Sequence, residues 1–324
     1  MTLHVRDLEK RFQEPKEWQW GYFDNGDHRL RYGAMAPKNT LTNIVLCYGF
    51  KEFAEKYFET ARELNAMGCA VWVMDWFGQG YSGRPLPRHP ERQHSEGFET
   101  HLGDLQAFVQ KIVKPAMKPG IPNILVGHSM GGHLALRHMI EQKNGIFDHC
   151  VAVAPMVDIT LPASMMTRPM AKAAALIMMK CGMGDHYVPG PLGHDWYPEF
   201  RETHINYFTH DIVRHGVHNA YCRDDARLRL GGPTYGWLYN ALLSCDLLDD
   251  PNYIAGLKTP TTLFVAGDDQ VVCNRAIEAL ARAKADCCTL KRLDGAYHEL
   301  FQEADRYRKP ILDHIRGLTK SLKP

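Results

Sequence analysis

Five residues constrain this chain more than any others. Gly127-His128-Ser129-Met130-Gly131 lies between the apolar run 123–126 and the helix-like Gly132-His133-Leu134-Ala135-Leu136. A serine between a strand and a helix, with glycine two positions to either side, has the context of a nucleophile elbow. The sharp turn holds the serine in a strained backbone conformation, and the chain passes so close on both sides that only small residues fit there. Gly127 and Gly131 meet that demand. The turn exposes the hydroxyl above the sheet and aims the N–H of Met130, at the start of a helix, toward the place where an oxyanion forms.

The rest of the chain is patterned to supply such a sheet. Apolar or β-branched runs at 43–47, 70–74, 123–126, 150–154 and 261–266 read as buried strands, and helix-length segments at 53–67, 98–113 and 132–141 separate them. Strands alternating with helices imply a mostly parallel sheet covered on both faces, an α/β fold. The alternating segment 18–36 carries Asn25-Gly26, which suits a tight hairpin turn and predicts an antiparallel edge. The rhythm stops after Pro155 and resumes at Thr261, so the core is expected over 1–155 and 256–324, with an inserted helical cap over 156–255. Half of the 14 methionines (Met156, Met165, Met166, Met170, Met178, Met179 and Met183) fall early in that insertion. Their flexible thioethers suit an adaptable apolar groove or ordinary helix packing.

A serine hydroxyl is a weak nucleophile near neutral pH, so a base must take its proton and a third group must orient that base. On this architecture the partners follow in the order serine, acid, histidine. The run 261–266 leads into Gly267-Asp268-Asp269, and 289–293 leads into Asp294-Gly295-Ala296-Tyr297-His298. Beyond those aspartates lie His298 and His314. The helix-like 311–315 explains His314 as part of a solvated face, which leaves His298 as the base. Asp269 is the expected acid and Asp268 its alternative, because spacing does not fix which carboxylate faces inward. Asp294 reads as a loop cap. The second oxyanion donor is expected from the loop Tyr48-Gly49-Phe50-Lys51-Glu52, at the N–H of Phe50, with Gly49 letting the chain pass close to the substrate.

Other chemistries fit poorly. Gly78-Gln79-Gly80-Tyr81-Ser82-Gly83 matches a dinucleotide fingerprint, but Pro85, Pro87 and Pro90 forbid the helix that such a site needs. His204, His210, His215 and His218 show no recognised ligand spacing, so neither metal nor cofactor is expected. Lys and Arg total 38 against 37 for Asp and Glu, which gives no electrostatic reason to expect nucleic acid. Nine irregularly spaced cysteines fit reduced thiols. The first eleven residues lack the apolar core of a signal peptide, and the most apolar stretch, 171–179, is broken by Lys172. A cytoplasmic protein without a membrane span is the expectation. Arg306, Arg308, Lys309, Arg316, Lys320 and Lys323 read as a solvated helix face, with contact to anionic lipid head groups as the alternative.

At these residues the sequence resembles the α/β-hydrolase superfamily, and within it the group of bacterial lysophospholipase L2-like proteins and monoacylglycerol lipases, over nearly the whole chain. The likeness rests on Gly-His-Ser-Met-Gly at 127–131 and on Asp75-Trp76-Phe77-Gly78-Gln79-Gly80-Tyr81-Ser82, which is similar to the group's Asp-x-Arg-Gly-x-Gly-x-Ser. Gly49-Phe50-Lys51-Glu52 with Tyr57 looks like its oxyanion segment, and Gly231-Gly232-Pro233-Thr234-Tyr235-Gly236-Trp237 like the stretch that ends its cap. Gly267-Asp268-Asp269 matches the group's Gly-x-Asp, which favours Asp269. Tyr48 stands where the group usually has His, and Phe77 where it usually has Arg.

The resemblance implies a lid that receives one acyl chain; a small lipid or ester is the expected substrate, with peripheral membrane contact through the cap as an open alternative. The resulting expectation is a cofactor-free serine hydrolase in which Ser129 attacks, His298 moves the proton, Asp269 orients the imidazole, and Phe50 and Met130 hold the oxyanion. A small-ester carboxylesterase, an amidase or aminopeptidase, and a non-catalytic ligand-binding homologue are its rivals.

Overall fold

The structure, a computed structural model, describes residues 3–142, 145–161, 167–190, 193–196 and 207–322. The hairpin expected at 18–36 forms from β1 (Gln19–Asn25) and β2 (His28–Met35), turning at Gly26 with φ of 59°. The apolar runs become β3 (Thr42–Cys47), β4 (Cys69–Met74), β5 (Asn123–His128), β6 (His149–Val153) and β7 (Thr261–Ala266), joined by β8 (Cys288–Leu293). Together they make an eight-stranded sheet in the order β1-β2-β4-β3-β5-β6-β7-β8. Pairing is antiparallel at β1–β2 and β2–β4 and parallel from β4 onward. Every residue of β3, β6 and β7 is buried, as continuous apolar runs covered on both faces require.

The connecting helices are α1 (Phe58–Ala66), α2 (Phe98–Phe108) and α3 (Met130–Glu141). The segment 53–67 is less uniform than its pattern predicts, because a 3₁₀ turn at Ala54–Tyr57 precedes α1. In 98–113, α2 passes into a π-helical turn at Val109–Val113. Between β6 and β7 the described residues include α4 (Arg168–Lys180), α5 (Ile212–Asp224) and α6 (Tyr235–Asp249), with a 3₁₀ turn at Ala226–Leu228 and one helical turn at Pro251–Ile254, and without an extended strand. The core ends with α7 (Asn274–Ala283), β8 and α8 (Asp305–Ser321). No helix among the described residues is long and apolar enough to cross a membrane. All nine cysteines are free thiols.

Two expectations change on contact with the structure. Arg308 does not belong to a solvated face: it is 1% exposed, donates to the Phe301 carbonyl at 2.9 Å and to Thr60 Oγ1 at 3.1 Å, and pairs with Glu63. His314 is half-buried, with Nε2 2.9 Å from Thr262 Oγ1, because that side of α8 packs over β7. The described methionines of the insertion differ in exposure. Met156 is buried beside Ser129, whereas Met170 and Met183 are exposed, and Met165 and Met166 lie outside the described residues.

Because β3 to β8 run the same way, the loops leaving β3, β5, β7 and β8 meet at one edge of the sheet. The segment Gly78–Gly83 also lies there as a loop, not a helix start. Gly80 has φ of 54°, and a Cβ on it would fall 2.2 Å from the Asp75 carboxylate, which accepts the N–H of Tyr81 at 2.9 Å. Close approach to a buried carboxylate, not to a pyrophosphate, accounts for that glycine.

Candidate active site

Ser129 caps α3 with φ of 51° and ψ of −119°. Its N–H donates to the Val153 carbonyl at 3.0 Å, and its own carbonyl accepts the N–H groups of His133 at 2.9 Å and Met156 at 3.0 Å. The flanking glycines are steric necessities. A Cβ on Gly127 would stand 2.4 Å from the Gly131 carbonyl oxygen, and one on Gly131 would stand 2.2 Å from that of Cys47. Bonds on both sides of the turn hold a conformation that costs on the order of 1–3 kcal/mol in isolation.

The loops after β7 and β8 meet this serine. His298 Nε2 is 2.9 Å from Ser129 Oγ, and His298 Nδ1 is 2.7 Å from Asp269 Oδ2. Asp269 Oδ1 accepts the N–H groups of Val271 at 2.8 Å and Val272 at 3.0 Å, so both carboxylate oxygens are used and the side chain has no exposure. Asp268 faces solvent. Asp294 is also exposed and accepts from Arg292 Nε at 2.8 Å, so it takes part in an ion pair where a loop cap was expected. Burial alone would push Asp269 up, but the His298 imidazole and the two N–H groups hold it below the ordinary carboxylate range. Burial likewise disfavours charge on His298, yet Asp269 first, then Glu299 and Glu52, raise it above its ordinary 6.5. Geometry and charge thus favour an imidazole ready to accept the proton of Ser129.

The oxyanion donors expected from the sequence are the backbone N–H groups of Phe50 and Met130. The N–H of Gly49 donates to Glu52 Oε2 at 2.6 Å and that of Lys51 to Gln79 Oε1 at 2.5 Å, while between them the N–H of Phe50 bonds to no described residue. The N–H of Met130, first residue of α3, is also without a bond among the described residues. Gly49 lets the chain approach closely, since a Cβ there would lie 2.8 Å from Glu52 Oε2 and 3.1 Å from Ser129 Cβ. The Phe50 ring packs against Trp237 of α6, with centroids 4.1 Å apart, so the segment between β6 and β7 rests on this loop.

Both departures from the family pattern have partners. Tyr48 is buried, donates to Asp75 Oδ1 at 2.8 Å and accepts the N–H of Trp76 at 3.2 Å. Asp75 also binds Arg31, which grips Glu55, so Tyr48 joins a buried ionic cluster behind the loop. Phe77 stacks on His28 at 3.8 Å. Of the four histidines grouped by sequence, His210 lies 2.6 Å from Glu303 Oε1, His215 and His218 are buried on α5, and His204 is outside the described residues. Sequence reasoning reached Glu52 and Tyr57 only through the resemblance. It missed Lys56, Gln79 and Glu299, although an acid followed four residues later by a lysine was a signal for the first.

This sheet, its strand-to-helix elbow and the order of the serine, aspartate and histidine loops are those of an α/β-hydrolase. More narrowly, the chain belongs to the family described as serine aminopeptidase S33, whose model matches residues 38–305. It is 30% identical over 296 residues to lysophospholipase L2 of Escherichia coli K12, covering 84% of this chain and 78% of the relative. It is 26% identical to the monoacylglycerol lipase of Mycolicibacterium smegmatis, covering 90% and 92%. A soluble variant of the Saccharomyces cerevisiae monoglyceride lipase, solved with a substrate analogue, superposes with a TM-score of 0.74 at 19% identity, covering 94% of this chain and 95% of that one.

Proposed function

We propose that the protein is a cofactor-free serine hydrolase that cleaves the ester bond of monoacyl lipids, lysophospholipid or monoacylglycerol, through an acyl-enzyme. The observation that carries this reading is the unbroken hydrogen-bonded chain from Ser129 Oγ through His298 to Asp269, at 2.9 and 2.7 Å. Ser129 Oγ attacks the ester carbonyl as His298 Nε2 takes its proton, and Asp269 steadies the imidazolium. The N–H groups of Phe50 and Met130 hold the oxyanion, an interaction typically worth roughly 3–4 kcal/mol per donor in the transition state. His298 returns the proton to the departing alcohol, then activates the water that releases the acid.

Residues 156–255 act in this reading as a lid for the acyl chain. The names of the relatives support a lipid ester as substrate. Met170, Ile177 and Met183, exposed on and just after α4, offer apolar contact with a membrane surface from which such a substrate is drawn. The family description favours one second reading, hydrolysis of an amide by the same residues.

The test is hydrolysis of a total lipid extract followed by mass detection, with a chain-length series of p-nitrophenyl esters and a matched anilide alongside. Medium- or long-chain monoacyl lipids are expected to disappear with wild type, and Ser129→Ala should lower kcat at least about 10⁴-fold and abolish fluorophosphonate labelling. A rate maximum at acetate removes the acyl groove, and faster anilide cleavage favours the amidase. Absence of labelling in folded wild type would leave a ligand-binding protein.

A further inference from the structure

Beneath the loop that carries Phe50 and behind the loop that carries His298, three charged side chains are withdrawn from water. The side chains of Glu52, Lys56 and Glu299 are 3%, 0% and 5% exposed. Lys56 Nζ is 2.6 Å from Glu52 Oε1 and 2.9 Å from Glu299 Oε1. The other oxygen of Glu52 accepts the N–H of Gly49 at 2.6 Å and the hydroxyl of Tyr57 at 2.9 Å. It also lies 3.2 Å from His128 Nδ1, whose ring bonds through Nε2 to the His298 carbonyl at 3.1 Å. Gln302 Nε2 donates to the Lys56 carbonyl at 3.1 Å, fixing the lysine backbone to the same C-terminal loop.

Burying an ammonium and two carboxylates costs several kcal/mol per ion before pairing, and apolar side chains of similar size fill such space more cheaply. What the apolar alternative lacks is a single group reaching both loops. Gly49–Glu52 follows β3 and His298–Glu299 follows β8, near opposite ends of the chain. The two loops must nevertheless keep the Phe50 N–H and the His298 imidazole in register over one substrate carbonyl.

We propose that Lys56 is a positioning residue of this site: it clamps the Gly49–Glu52 loop to the His298–Glu299 loop, and its charge offsets the two carboxylates that act on His298. The proposal rests on the reading of Ser129 and His298 as nucleophile and base. The groups that touch the imidazole are Asp269 and Ser129 Oγ on its two nitrogens and the His128 ring with its centroid 5.0 Å away; Glu299 and Glu52 act on it through their charge, and Lys56 is paired to both of them. Glu299 and Glu52 favour the imidazolium. By Coulomb's law Lys56 opposes them.

The experiment uses the full chain carrying Lys56→Met, Lys56→Arg or Glu299→Gln, each checked for fold by circular dichroism. Its kinetic arm is the pH profile of kcat/KM on a p-nitrophenyl ester. Lys56→Met should lower kcat about tenfold or more with KM little changed, and should move the acid limb to higher pH. Lys56→Arg should restore most of kcat, and Glu299→Gln should move the acid limb to lower pH. The second arm follows the His298 ring by NMR titration in a Ser129→Ala background, where no catalysis is needed. There Lys56→Met should raise the imidazole titration and Glu299→Gln should lower it, so this arm stands even if no ester is cleaved. A folded Lys56→Met protein with wild-type kcat and an unmoved titration overturns the proposal. Should that variant fail to fold, an unmoved titration in Glu299→Gln overturns it equally.

Discussion

Asp268 and Asp269 are adjacent carboxylates with opposite surroundings. Two backbone N–H groups and an imidazole enclose Asp269, whereas Asp268 points into water and contributes only its N–H, to the Ala296 carbonyl at 2.9 Å. Under the proposed mechanism Asp269→Asn should lower kcat about 10⁴-fold, because an amide in place of the carboxylate stabilises the wrong imidazole tautomer. Asp268→Asn should stay within about twofold, as exposed substitutions usually do. Steady-state kinetics on one ester checks both. The sign of the pH dependence follows from His298. A base must be neutral to accept a proton, and this imidazole holds its proton to a pH above the ordinary 6.5. Activity should therefore fall on acidification through a midpoint above that value, visible as the acid limb of kcat/KM. Residue spacing narrowed the acid to a pair; the family's Gly-x-Asp favoured one member, and side-chain direction distinguishes the two.

The elbow is a property of an element junction, where β5 ends, Ser129 turns and α3 begins. Its sequence signal was strong because the demand is local: two glycines must pass within contact distance of backbone carbonyls. Gly131→Ala should cost about 1–3 kcal/mol, since the added methyl meets the Cys47 carbonyl, and backbone cannot give way as a flexible side chain can. A lower denaturant midpoint with unchanged slope checks it. Helix boundaries were less accessible. The pattern of 53–67 is helical, yet Ala54–Tyr57 forms a tighter 3₁₀ turn, and there Lys56 and Tyr57 converge on Glu52. The tighter turn goes with bonds to the neighbouring Glu52 carboxylate, which apolar periodicity does not record.

At the scale of the whole molecule, burial of neutral histidines should govern acid stability. His101 and His138 are lowered to about 4 and His133 to about 3, in each case by burial first. The unfolded chain binds protons at these sites near 6.5 and the folded chain does not until far lower. Their contribution is fully present above 6.5 and is lost as pH falls toward 4, at about 1.4 kcal/mol per pH unit for each fully buried group. Glu59 and Asp269, both lowered, act in the same direction, while His298, Glu55 and Asp104, all raised, oppose it. Denaturant midpoints measured from pH 7 to pH 4 should decline, and His138→Gln should flatten the decline.

Read alone, the amino-acid order contained the α/β rhythm, the hairpin at Asn25-Gly26, the serine turn and the histidine near the C-terminus. Each depends on contacts within a few residues or on periodic burial, which a linear string records. Burial of Arg308, the pairing of Tyr48 with Asp75 and the reach of Lys56 across to Glu299 left no comparable trace. Those arise where distant loops are pressed together at one edge of a parallel sheet, and the low-dielectric space between them sets which charges must find partners.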